Sequence, residues 1–413
     1  MVYLDNESMR DMPPLPETPA TALVLSGGGA RAAYQVGVLQ AIAKIRREQN
    51  QEQKAELRVN PFPIVVGTSA GAINAAALAC GADDFDAAVN KISNTWSAMH
   101  ANHIYQADSL SMARSGAQWL SMISVGWMVA KWWRIKPRSL LNNAPLGQLL
   151  LDLVPLQRLQ ALIDQGHLKA LAITASSYTS GQHVTFFQGF NDLPLWERSQ
   201  RYALRAPITL GHLLASSAIP FIFPAKALPV QSHQEYFGDG SMRQSAPLAP
   251  AIHLGADRIL VIGAGRMNEP KADDPSQADG AYPSLAQIAG HAMSSIFLDA
   301  LAVDIERVRR INQTIALVPE ALRSASRLRA ISVLVIAPSQ RLDAIASKHI
   351  EALPLGVRTM LGAVGISSSK ADFKGAAMAS YLLFESAYTQ ELMALGFSDA
   401  QAQREDICTF FGW

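Results

Sequence analysis

The chain has 413 residues, which is long for one core because single cores stop growing near roughly 250–300 residues; one large domain with an extension, or two domains, is expected. Hydrophobic residues make up 49% and charged residues 17%, which excludes a disordered chain and a highly charged coiled coil. A net charge of +1 leaves no electrostatic footprint for nucleic acid, and two cysteines, Cys80 and Cys408, exclude a disulfide framework and fit a reducing, cytoplasmic setting.

In chain order, residues 1–20 carry Pro13, Pro14, Pro16 and Pro19 and read as a stiff, extended lead-in. The first residues lack the basic and apolar regions of a signal peptide. Thr21–Leu25 reads as a buried strand, followed by glycines and then by helical spacing over Tyr34–Ile45. Pro63–Val66 reads as a second strand, followed by a tight turn and the alanine-rich helix Ala70–Ala79. The run Ser115–Ala130 is uncharged but falls short of the about 20 residues a membrane span needs. Val59–Ala82 and Ala206–Ala225 are also uncharged, but prolines or a strand-turn-helix pattern interrupt them, so no transmembrane helix is expected.

Trp119, Trp127, Trp132 and Trp133 sit among apolar residues and beside Lys131, Arg134, Lys136 and Arg138. Tryptophan next to basic residues suits a membrane–water interface, and a helix packed on the core or a subunit contact would use the same residues. The surface reading makes residues 115–138 a peripheral contact with the inner face of a membrane. Further strands are expected at Ala170–Thr174, Val184–Phe187, Arg258–Ile262 and Ile331–Ile336. The first two strands and the last two are apolar enough to be buried on both faces, as parallel strands are. Met267–Gly280 reads as a loop, Ser284–Arg310 as one long helix ending in Arg307, Arg309 and Arg310, and the region from 346 onward as helices. Strands alternating with helices predict an α/β fold, with a mostly parallel central sheet layered between helices.

Three stretches carry chemistry. Gly67-Thr68-Ser69-Ala70-Gly71 is a G-x-S-x-G between a predicted strand and a predicted helix, the context of a nucleophile elbow. Glycines flank the serine because the turn is too sharp for side chains, and Ser69 projects near the positive end of the helix. An ordinary glycine-rich turn would share the pattern.

Gly27-Gly28-Gly29-Ala30-Arg31 also joins a strand to a helix, and its bare backbone N–H groups suit an oxyanion or a phosphate. Gly27, Gly29 and Ala32 also fit a dinucleotide fingerprint, with Glu48 near the position of a ribose-binding acid. Glu48, however, lies in a charged helix end and not after a second strand. Arg31 reads either as a helix-surface charge or as a residue that fixes the loop or meets a lipid phosphate.

The third stretch, Tyr236–Ser241, contains Asp239-Gly240, a common turn pair. A serine nucleophile needs a base, usually a histidine held by an acid. In the order Ser…Asp…His, only His253 and His291, with His349 behind them, could complete a triad. No metal-ligand spacing or acidic calcium loop is present in the sequence, so neither a metal nor another cofactor is expected.

Together the three motifs resemble the patatin-like phospholipase family, over roughly residues 21–263. Ala215–Pro220 and Ser139–Leu146 add to the likeness. The resemblance implies a three-layer α/β/α fold and a Ser–Asp dyad without a catalytic histidine, with Ser69 as nucleophile and Asp239 as general base. It also implies an oxyanion loop at Gly27–Arg31. Ala32 stands where many members have glycine, and Ser241 replaces the last glycine or alanine of the Asp motif. The expected layout is a lead-in over 1–20, a catalytic domain over 21–345 and a helical extension over 346–413. The expected activity is hydrolysis of lipid or phospholipid esters through an acyl-enzyme. A soluble esterase or thioesterase is the alternative in the same class. A dinucleotide-binding protein using the Gly27–Gly29 loop, or a non-catalytic protein on a lipase-like fold, belongs to other classes.

Overall fold

The structure, a computed structural model, describes residues 19–49, 59–106, 139–267, 285–323, 328–363 and 376–413. The strands are β1 (Thr21–Leu25), β2 (Ile64–Thr68), β3 (Ala170–Ser177), β4 (His183–Gly189), β5 (Glu197–Arg198), β6 (Arg201–Arg205), β7 (Lys226–Val230), β8 (His233–Asp239), β9 (Arg258–Ile262) and β10 (Ser332–Ile336). They form one sheet in the order β10-β9-β1-β2-β3-β4-β6-β5, with β8 bonded to β3 and β7 to β8. From β10 to β3 every pairing is parallel.

The helices used below are α1 (Ala33–Gln49), α2 (Ala70–Ala79), α3 (Phe85–Ser97), α4 (Ala144–Leu153), α5 (Leu210–Ser216), α6 (Leu285–Ser294), α7 (Ala300–Ala316), α8 (Ala376–Leu382), α9 (Ser386–Ala402) and α10 (Arg404–Phe411). Successive strand residues point to opposite faces, and both faces are covered. Leu23, Leu25 and Val65 join the larger core with α1, α2, α3, α8 and α9. Ala22, Val24, Ile64 and Val66 join a second core, with Leu301, Ile305 and Val308 of α7. This double cover is why the central strands read as unbroken apolar runs. The result is the expected α/β layering, and the final helices share the larger core with the sheet.

Two expectations are corrected. The stretch Ser284–Arg310 is not one helix ending at its arginines: a π-helical turn over Ser295–Asp299 separates α6 from α7, and α7 runs on to Ala316. Its apolar stripe Leu301, Ile305, Val308, Ile315 continues past Arg310, so the arginines lie on a solvated face and mark no terminus. The last strand is not buried on both faces: β10 is an edge strand, with Ile336 buried and Ser332 exposed. Asp239 ends β8 and opens the turn that its Asp-Gly pair suggests, with the Met242 N–H donating to Asp239 O. No described helix is long and apolar enough to cross a membrane.

Candidate active site

Ser69 stands between β2 and α2 with φ 56° and ψ −131°, a strained conformation for a residue with a side chain. The elbow is forced by packing. A Cβ on Gly67 would lie 2.5 Å from Ala72 Cα, and one on Gly71 would lie 2.5 Å from the carbonyl oxygens of both Leu25 and Ser26. Only glycine lets α2 start this close to the ends of β1 and β2. The Ser69 N–H donates to Ser216 Oγ at 2.9 Å, which ties the elbow to the end of α5. Ser69 itself is 1% exposed.

The sheet register brings Asp239 to the serine. β4 runs along one edge of β3 from Ala170 to Ser176, so the other edge is shared. β2 occupies that edge up to the pair Thr68–Thr174, and β8 takes over at the next residue with the pair Asp239–Ala175. The end of β2 and the end of β8 therefore meet head-on. Ser69 Oγ donates to Asp239 Oδ2 at 2.6 Å, and Asp239 Oδ1 accepts the Ser241 N–H at 2.9 Å. The Asp239 and Gly240 amides donate to the carbonyls of Ala218 and Ser216. Gln244 Nε2 donates to Thr68 Oγ1, which lies 2.8 Å from Thr174 Oγ1.

Asp239 is fully buried. Burial pushes its carboxyl up to about 6, against the hydrogen bonds from Ser69 and from the Ser241 amide, which pull it down. Such a value suits a group that must take up and release a proton near neutral pH.

The glycine loop passes beside the elbow. Gly29 has φ +55°, a left-handed conformation that favours glycine, and a Cβ there would lie 2.3 Å from Tyr381 O. Gly28 and Gly29 donate through their amides to no other group among the described residues, and the same holds for the Ala70 amide. Ala30 and Arg31 lie inside a 3-10 turn over Gly29–Ala32 that leads into α1. Arg31 is not a surface charge: it is 4% exposed and bonded to α8.

Gly29, Ser69 and Ala70 line a pocket with an empty volume of about 480 Å³, its open mouth included. The rest of its wall is almost wholly apolar, with Trp96, Leu146, Leu149, Leu153, Phe223 and Phe384 prominent. Leu146, Leu149 and Leu153 share one face of α4. Trp96 is fixed by a 2.8 Å bond from its Nε1 to Asn74 Oδ1 and by stacking on Phe384.

None of the histidines considered for a triad bonds to this pair. His253 stacks on Trp196, and burial pushes its imidazole down to about 4. His349 bonds to Glu391, and His291 is exposed on α6. Glu48 pairs with Arg404 at the end of α1, as a solvated helix end would. Trp119, Trp127, Trp132 and Trp133 lie outside the described residues.

Two features were not assigned from the sequence. Ser216 lies in the stretch Ala215–Pro220, but its bond to the Ser69 amide has no local signal. His183 is buried beside the Asp turn with Nε2 2.9 Å from Gly240 O, and burial pushes it down to about 4.

A buried serine–carboxylate pair thus stands where two strands of an α/β sheet meet, beside a glycine loop and an apolar pocket. The chain belongs to the patatin-like phospholipase family, whose sequence model matches residues 23–252. Among solved structures it is similar to VipD from Legionella pneumophila, at 14% identity and TM-score 0.33, covering 91% of this chain and 67% of that one. It is also similar to the full-length SpcU–ExoU complex of the type III secretion system of Pseudomonas aeruginosa, at 14% identity and TM-score 0.25, covering 88% and 76%. No curated protein sequence matches the chain.

Proposed function

We propose that the protein is a serine hydrolase that cleaves carboxylic esters of lipids or phospholipids through a Ser69–Asp239 dyad. The observation that carries this reading is the 2.6 Å hydrogen bond from Ser69 Oγ to Asp239 Oδ2, with Ser69 lining an apolar pocket.

Ionised Asp239 takes the Ser69 hydroxyl proton as Oγ attacks the ester carbonyl carbon. The carbonyl oxygen becomes an oxyanion, held by amides of the Gly28–Ala30 loop and of Ala70, and the positive end of α2 adds to the field. The tetrahedral adduct collapses, the ester C–O bond breaks, and Asp239 returns the proton to the leaving alcohol. Water then gives a proton to Asp239 and attacks the acyl-enzyme. Collapse of the second adduct breaks the bond to Oγ, releases the acid and restores the serine proton. The acyl chain lies along the Leu146–Leu149–Leu153 wall, while a polar headgroup stays at the mouth. Each oxyanion donor is worth about 10²–10³ in rate in such sites, so the glycine loop matters nearly as much as the dyad.

A fluorophosphonate probe should label the wild type and not Ser69→Ala. Asp239→Asn should hydrolyse a panel of headgroups and chain lengths at least about 10³ times more slowly, a loss on the scale of disabling a catalytic base. Labelling that persists in Ser69→Ala would overturn the assignment.

A further inference from the structure

The glycine loop is held from outside by the C-terminal helices. Arg31 is buried, and every hydrogen bond its guanidinium makes among the described residues goes to α8. Nε donates to Ser380 Oγ at 2.8 Å, and one terminal nitrogen donates to Ala377 O at 3.4 Å. The guanidinium carbon sits 4.2 Å from the centre of the Tyr381 ring. Ser380 Oγ in turn donates to Ala377 O at 2.5 Å, which fixes its lone pair toward Arg31. A buried cation is tolerated only where groups like these replace its water. Asp343 also lies within its field: burial raises that carboxyl, but Arg341 and the charge of Arg31 together hold it below its ordinary range.

The same helix meets the loop directly. The Tyr381 carbonyl occupies the space that a Cβ on Gly29 would need, so it packs against the residue with the left-handed turn. Two residues past α8, Phe384 forms part of the pocket wall and stacks on Trp96. A single short segment thus touches the loop, its arginine and the pocket.

We propose that α8 is the positioning element of the oxyanion loop, with Ser380 and Tyr381 holding the Gly28–Ala30 amides in place through Arg31 and Gly29. The catalytic part of this inference rests on the hydrolase reading above. The structural part does not.

The test uses the full-length chain and Ser380→Ala, with Ser380→Cys as a closer isostere should the alanine variant not fold. Ile407→Val, a core change in α10 that touches neither the loop nor the pocket, serves as the control. Hydrogen exchange of the peptide spanning residues 27–36 should be at least about fivefold faster in the Ser380 variant than in the wild type and unchanged in the control. On a short p-nitrophenyl ester, kcat should fall about tenfold or more with KM within about twofold, since the lost interaction acts only on the developing oxyanion. Wild-type exchange in the Ser380 variants would overturn the proposal, as would an equal kcat loss in Ile407→Val. A wild type that neither hydrolyses esters nor reacts with fluorophosphonate would instead sink the hydrolase reading, and the exchange rates alone would then decide whether α8 holds the loop.

Discussion

Asp239→Asn should stabilise the protein at neutral pH while removing its activity. The folded structure raises this carboxyl from 3.8 to about 6, so it binds its proton more tightly when folded than when unfolded. Its contribution to stability is fully present below the unfolded value and is lost as pH rises through the folded one. The gap from 3.8 to about 6 is roughly 2 pH units, or about 3 kcal/mol at 1.36 kcal/mol per unit. Asparagine has the same shape, keeps an oxygen for the Ser241 N–H and carries no charge at any pH. The wild type should therefore be less stable than the variant by about 3 kcal/mol near pH 8, by about half that near pH 5, and by less than about 1 kcal/mol near pH 4. Urea unfolding of both proteins at the three pH values measures the difference directly. The wild-type kcat/KM should rise through about pH 6 as the same group ionises. A stability difference that stays constant from pH 4 to pH 8, or a wild type that is the more stable protein at pH 8, would refute the argument that the hydrogen bonds to the base only partly offset its burial.

Four further outcomes are expected. Ser216→Ala leaves the Ser69 N–H without its partner, a loss of about 1–3 kcal/mol, so kcat should fall about 10- to 100-fold with little change in KM; an unchanged kcat in steady-state assays would remove Ser216 from the elbow. Gly71→Ala drives a Cβ to 2.5 Å from two carbonyl oxygens and should cost about 1–3 kcal/mol, read as a lower unfolding midpoint by calorimetry. Leu149→Trp fills the acyl pocket, and the ratio of long-chain to short-chain ester hydrolysis should drop about tenfold or more; a constant ratio would place the chain elsewhere. Replacing Trp127, Trp132 and Trp133 together with alanine should reduce co-sedimentation with anionic liposomes, and equal binding would exclude that segment as a membrane contact.

The central sheet was legible because its strands are covered on both faces. Thr21–Leu25 and Arg258–Ile262 have the predicted bounds, and so does the helix Ala70–Ala79 that follows the elbow. The paired strands β7 and β8 were not legible. β7 carries Pro229 and alternates exposed with buried positions, and β8 begins with exposed His233 and Gln234. Their apolar content is too thin to read as a strand, and the pairing of β8 with β3 is a long-range event. Ser69 and Asp239 could be named from their motifs, but the handover from β2 to β8 along one edge of β3 cannot be read from either motif alone. The arginines of α7 misled for a related reason: a charged run looks the same on a solvated face as at a helix end.

The least legible part of the site is the part that lies farthest away in sequence. The family match ends at residue 252, yet Ser380, Tyr381 and Phe384 reach the loop, its arginine and the pocket. They can do so because α9 crosses α1 backbone to backbone. A Cβ on Gly37 would lie 1.9 Å from Met393 O, and one on Gly396 would lie 2.1 Å from Tyr34 O. Beside that crossing, Tyr34 donates a hydrogen bond to Asp399, and Asp399 also accepts from Ser339. α1 begins at the end of the glycine loop, so a helix locked to α1 is also locked in register with the loop. Two glycines with no chemistry of their own thereby set how closely the C-terminal helices approach. That distance determines whether a helix almost 350 residues downstream of Arg31 can replace the water around its charge.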